Sequence, residues 1–179
     1  MANSSRSIRA VIVAAALILV ASACSSTEKS AEQAGSGDPD TLEDSLAAVF
    51  AGSSTLDGTD FDGGELAHGN VVLWFWAPWC TSCRAEGPRV AQVAEAYADD
   101  VRIIGVPGRG QVPAMNQFVD DTGTGALEHV IDDDGSIWTA FEVYGQPAFA
   151  FLDGSGEIEV FVGTLGSALE DRVAALAAT

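Results

Sequence analysis

The segment that most restricts this fold is Val71 to Ala77 (VVLWFWA), seven apolar residues without a polar interruption. A strand with one face in water alternates apolar and polar side chains. A strand without alternation is buried on both faces, as in the middle of a sheet covered by helices. Everything downstream is compatible with that arrangement. Cys80 to Tyr97 reads as a helix, with Val90, Val93, Ala94 and Tyr97 at helical spacing. Pro88 within it is expected to kink it, because proline lacks the N–H and clashes with the preceding turn. Val101 to Val106 is the next strand. Val112 to Thr122 reads as a helix with Met115, Phe118 and Val119 on one face, and Leu127 to Ile131 as a short strand.

After a turn at Asp132 to Gly135, Ser136 to Tyr144 reads as a short helix. Ala148 to Leu152 and Glu157 to Val162 are two strands joined at Asp153-Gly154-Ser155-Gly156, a hairpin signal. Their turn is too short for a crossover, so they are antiparallel. Leu165 to Ala178 closes the chain as a helix with Leu169, Val173 and Leu176 inward. The sum is an α/β domain of three layers around a mixed sheet. Upstream, Leu42, Leu46, Val49 and Phe50 fall at helical spacing.

Chemistry concentrates at Cys80-Thr81-Ser82-Cys83, where the buried strand gives way to a helix. Residues three apart on a helix share a face, and their Cα separation falls in the range a disulfide accepts. The helix start offers unpaired N–H groups and the positive end of the dipole. Both favour a thiolate at Cys80, the species that attacks disulfides. Cys83, one turn in, is the expected resolving thiol. A static disulfide is a poorer reading, since so short a loop adds little stability. A zinc site would need two further ligands, of which only His68 and His129 are plausible.

The first 23 residues are read as a leader. Arg6 and Arg9 are the only charges before Glu28, and Ala10 to Ala21 is an apolar run of twelve, short of the ~20 residues that span a bilayer. Ala21-Ser22-Ala23-Cys24 resembles a bacterial lipobox, which implies lipidation of Cys24 and anchoring to the membrane by acyl chains. Residues 24–40 lack aliphatic and aromatic side chains and read as a flexible tether, leaving 41–179 as the domain. Without the leader, six basic and 26 acidic residues remain, a formal charge of −20. Such a surface repels nucleic acid and anionic head groups. The remaining cysteine pair then sits in a compartment where disulfides persist.

Trp79-Cys80-Thr81-Ser82-Cys83-Arg84-Ala85-Glu86-Gly87-Pro88 resembles the active-site segment of the TlpA/ResA/DsbE-like thioredoxin-fold family, with matches at Trp79, Cys80, Cys83, Glu86 and Pro88. Tyr144 to Gly154 resembles that family's cis-proline loop and following strand. The resemblance implies a thioredoxin fold with the family's helix-strand insertion between about 111 and 131, and a strand or hairpin near 46–61, against the helical spacing there. It further implies a cis Pro147 packed against the cysteines, with Gln146 offering backbone groups to an incoming peptide and Trp79 a flat contact. Glu86 is a candidate proton relay for Cys83, or a surface or structural residue whose helical position faces solvent. Trp74 and Trp76 read as strand core.

The family resemblance implies an extracytoplasmic thiol-disulfide oxidoreductase with no metal or organic cofactor. Its partners would be exported proteins with thiols or disulfides, together with a membrane redox partner. It would act as an oxidant of exported proteins or as a reductant of apocytochrome c or other exported thiols. The closeness to secreted DsbE-like members favours oxidation. The alternatives are a non-catalytic surface binding module and a peroxidase; the paired cysteines argue against the latter.

Overall fold

The computed structural model describes residues 39–179. The expected leader, Cys24 and the tether up to residue 38 lie outside them. A helix α1 (Pro39–Val49) comes first, followed by a 3-10 turn at Gly63–Ala67. Then follow β1 (Val71–Trp76), α2 (Thr81–Ala96), β2 (Arg102–Pro107), α3 (Val112–Thr122) and β3 (Glu128–His129). The chain ends with α4 (Ser136–Ala140), β4 (Ala148–Leu152), β5 (Ile158–Val162) and α5 (Ala168–Ala177).

One mixed sheet orders the strands β3-β2-β1-β4-β5. β1 pairs parallel with β2 and antiparallel with β4, β2 runs parallel to β3, and β4 pairs antiparallel with β5. β1 is therefore the middle strand, and all six of its residues are buried. Its side chains alternate between two cores, as the period of two requires. Val71, Leu73 and Phe75 pack with Leu46 and Phe50 of the α1 region and Ile137 and Trp138 of α4. Val72, Trp74 and Trp76 pack with Val90 and Val93 of α2, Met115 and Phe118 of α3, and Leu169 and Val173 of α5. Burial of each large apolar side chain contributes about 1.5–3 kcal/mol, which explains why this run dominates the fold.

The structure bears on the sequence reading at three further places. The helix begins at Pro39, inside the stretch read as tether. Over 46–61 both readings hold in part: helix continues to Val49, and beyond it the antiparallel bridge Ser54–Asp60, with Phe61 N–H donating to the Ser53 carbonyl, makes a minimal hairpin. Pro88, where a kink is expected, lies inside α2, which is a single helical element from Thr81 to Ala96.

Candidate active site

Cys80 is the N-cap of α2. Its backbone is extended, φ −77° and ψ 112°, and Cys83 lies in the first turn. The two sulfurs are bonded at 2.08 Å, with Cα atoms 5.3 Å apart. The Cys83 N–H donates to Cys80 Sγ at 3.1 Å, and Ser82 Oγ lies 3.4 Å from the same sulfur. The outer sulfur thus holds the place of a capping oxygen at the positive end of the helix. Cys83 is wholly buried, whereas Cys80 retains 4% exposure. An incoming group reaches Cys80 first.

Trp79, Thr81, Ser82, Ala85 and Gln146 line a shallow groove over Cys80. Trp79 is 61% exposed, and its Nε1 donates to the Arg109 carbonyl at 2.9 Å. The Gln146–Pro147 bond is cis, and Pro147 is buried. The Pro147 carbonyl accepts from Gly163 N–H at 2.8 Å. Trp74 and Trp76 are fully buried, and Trp76 stacks on Phe118 at 4.0 Å.

Glu86 does not face solvent. It is 3% exposed, because α2 turns this side toward the loop before α5. Its Oε1 accepts from the N–H groups of Leu165, at 2.8 Å, and Gly166, at 2.9 Å, while Oε2 is buried without a partner. Burial pushes its pKa up, and the two backbone donors only partly oppose this. The two histidines have separate partners. His68 faces Glu43 at 3.3 Å, and buried His129 shares a hydrogen bond with the Thr124 carbonyl at 3.0 Å. Among the described residues, no group of three or more His, Cys, Asp or Glu side chains is arranged to hold a metal.

The sequence reading missed Arg109. Its guanidinium lies 4.6 Å over the Trp138 ring, and its Nη atoms approach Gln146 Oε1 at 3.3 Å and the Tyr144 carbonyl at 3.4 Å. The one signal available was an arginine between two glycines just after a strand.

A cysteine pair at a strand-to-helix junction, beside a cis-proline loop, is built for thiol-disulfide exchange. The AhpC/TSA family model matches residues 45–161. The chain belongs to the AhpC/TSA family. The soluble secreted antigen MPT53 of Mycobacterium tuberculosis is 40% identical over 129 residues, covering 69% of this chain and 73% of that protein. A solved structure of MTB dsbF, in mixed oxidized and reduced forms, superposes with a TM-score of 0.68 at 44% identity, covering 73% of this chain and 98% of that one. A secreted Mycobacterium tuberculosis disulfide oxidoreductase, described as homologous to E. coli DsbE, gives 0.66 at 37% identity, with 72% and 97% coverage. Within the family this chain is a thiol-disulfide oxidoreductase of the DsbE/ResA type, with Cys80–Cys83 as its cysteine pair.

Proposed function

We propose that the protein works outside the cytoplasm as an oxidant of exported proteins, passing the Cys80–Cys83 disulfide to substrate thiols. The observation that carries this reading is the pair of donors at the outer sulfur, Cys83 N–H and Ser82 Oγ, at a helix start. Groups that stabilise a Cys80 thiolate stabilise the reduced protein, and a stabilised reduced form makes the disulfide the stronger oxidant. A substrate thiolate attacks Cys80 Sγ and forms a mixed disulfide, with Cys83 leaving as thiolate. A second substrate thiolate then attacks the substrate sulfur of that bond, so the substrate leaves oxidised and the protein carries two thiols. A membrane redox partner restores the disulfide.

The groove supports the remaining roles. Trp79 offers a flat exposed face. Neither main-chain group of Gln146 has a hydrogen-bond partner among the described residues, which suits short β-like pairing with a peptide. Pro147, joined by the cis bond to the groove residue Gln146, is the remaining candidate contact. Glu86, one turn beyond Cys83, takes the Cys83 proton when the membrane redox partner restores the disulfide; the buried, unpaired Oε2 supports this role. Equilibration with glutathione buffers tests the direction. A potential near about −120 mV is expected, and one below about −230 mV would make the protein a reductant of apocytochrome c or other exported thiols.

The extracytoplasmic site is supported by the leader and by similarity to MPT53, named a soluble secreted antigen. Lipidation at Cys24 adds a membrane anchor. Replacing Cys24→Ala is expected to move the protein from the membrane to the soluble fraction, and an unchanged distribution removes the anchor.

A further inference from the structure

Five basic side chains lie among the described residues, and four of them, Arg84, Arg89, Arg102 and Arg172, have a carboxylate within 4.0 Å. Arg109 has none. Carboxylates are near at hand: Asp132, Asp133 and Asp134 line the same cleft. Asp132 and Asp134 are engaged elsewhere, accepting from the backbone N–H groups of Ile137, Trp138 and Ser136 at the start of α4. The guanidinium stacks on Trp138 within that cleft and reaches the edge of the groove over Cys80 through Gln146. It touches Gln146, which lines that groove, and its own carbonyl holds Trp79, which lines the other side. Both of its hydrogen bonds, at 3.3 and 3.4 Å, are long for N–H···O contacts. A stronger acceptor displaces them at little cost.

The backbone points the same way. Arg109 has φ +55°, a left-handed conformation that favours glycine. The loop is pressed between two rings: a Cβ on Gly108 would lie 3.0 Å from the Trp138 ring, and one on Gly110 would lie 2.3 Å from Pro78 Cγ. A glycine at 109 would meet the backbone demand without strain. What an arginine adds is its side chain, a planar fork stacked on an aromatic ring and suited to a carboxylate.

We propose that Arg109 is a specificity-determining residue that pairs with a carboxylate of the polypeptide substrate, close in sequence to the reacting cysteine. Among the described residues it is the one arginine without a carboxylate within 4.0 Å, and it lies beside the groove. The inference rests on the reading that a polypeptide occupies that groove.

Three peptides with two cysteines each, alike except for Glu, Gln or Lys beside the first cysteine, are mixed with the oxidised full chain. Each peptide gives up two electrons and closes its own disulfide while Cys80 and Cys83 become thiols, followed by acid quench, alkylation and mass spectrometry. A neighbouring carboxylate also changes the peptide thiol's own reactivity, so the Glu:Gln rate ratio is compared between proteins. In Arg109→Gly the ratio is expected to fall roughly fivefold, the size of a partly exposed ion pair. In Arg109→Glu the preference turns to the Lys peptide. Ratios equal to those of the unaltered protein in both variants overturn the proposal, as does an equal slowing with all three peptides, which marks mere support of the loops. An unaltered protein that reacts with every peptide at rates set only by thiol reactivity overturns this inference alone. One that reacts with none overturns the redox reading and this inference together.

Discussion

The two cores on either side of the sheet are built by different rules. Beneath α1 and α4 the buried polar side chains find partners. Trp138 Nε1 donates to the Val106 carbonyl at 3.1 Å, and Asp132 accepts the N–H groups of Ile137 and Trp138. Beneath α2, α3 and α5 some do, as Thr122 Oγ1 does with the Phe118 carbonyl, but four side-chain atoms do not. Trp74 Nε1, Trp76 Nε1, His129 Nδ1 and Glu86 Oε2 are buried without a hydrogen-bond partner, and they are the only such side-chain atoms among the described residues. All of them belong to the core that holds Cys80 and Cys83 or pack against it. An unpaired buried polar group costs about 1–3 kcal/mol. One face of the sheet therefore supplies cohesion, while the other gives up some of it around the sulfur pair.

The largest test of this contrast compares two tryptophans. Trp138→Phe and Trp74→Phe lose similar volume, and both side chains are nearly or fully buried. Trp138→Phe also removes a made hydrogen bond, whereas Trp74→Phe removes an N–H that has no partner. Urea unfolding is expected to show Trp138→Phe the more destabilising by about 1 kcal/mol or more. Equal costs, or the reverse order, would erase the distinction between the faces.

The same contrast explains what could be read from the sequence. β1 was legible because an unbroken apolar run has one reading in an α/β domain, burial on both faces. The cysteine pair was legible because its chemistry is local: two sulfurs three residues apart at a helix start. Helix α1 was legible from spacing alone, while the family pattern pointed to the short antiparallel pairing that follows it. The cis bond at Pro147 was reachable only through resemblance, since no local signal separates it from trans. Glu86 was misplaced because its partners, Leu165 and Gly166, lie about 80 residues away. Arg109 escaped for the same reason, as its contacts with Trp79, Trp138 and Gln146 each span about 30 residues or more. Periodicity reports which face a residue takes on its own element, not which loop later covers that face.

Glu86 carries the next largest effect, and it acts through pH. Burial raises its folded pKa above 4.5. Between that value and the raised one, the folded protein binds more protons than the unfolded chain. Stability therefore falls as pH rises through that window. Glu86→Gln keeps an oxygen for Leu165 and Gly166 but carries no charge. Its stability relative to the unaltered protein is expected to improve as pH rises above about 4.5, followed by urea unfolding at each pH. Parallel profiles would mean that the ionised carboxylate is not disfavoured in this core.

His129 should act in the opposite direction and more weakly. Burial lowers its folded pKa below 6.5, outweighing the Thr124 carbonyl and the Glu128 charge, which both favour the charged form. Below pH 6.5 the unfolded chain takes up a proton that the folded protein refuses, so stability falls as pH drops. At neutral pH both states are largely uncharged at this group, which confines the effect to the acid side. The ring has little room to adjust: a Cβ on Gly105 would lie 2.0 Å from His129 Nδ1 and 2.8 Å from Trp76 Nε1. His129→Gln should flatten the acid slope while leaving the Glu86-dependent change in place. If the slope below pH 6.5 survives the substitution, its source lies elsewhere, and the core around the cysteines owes its acid sensitivity to a different group.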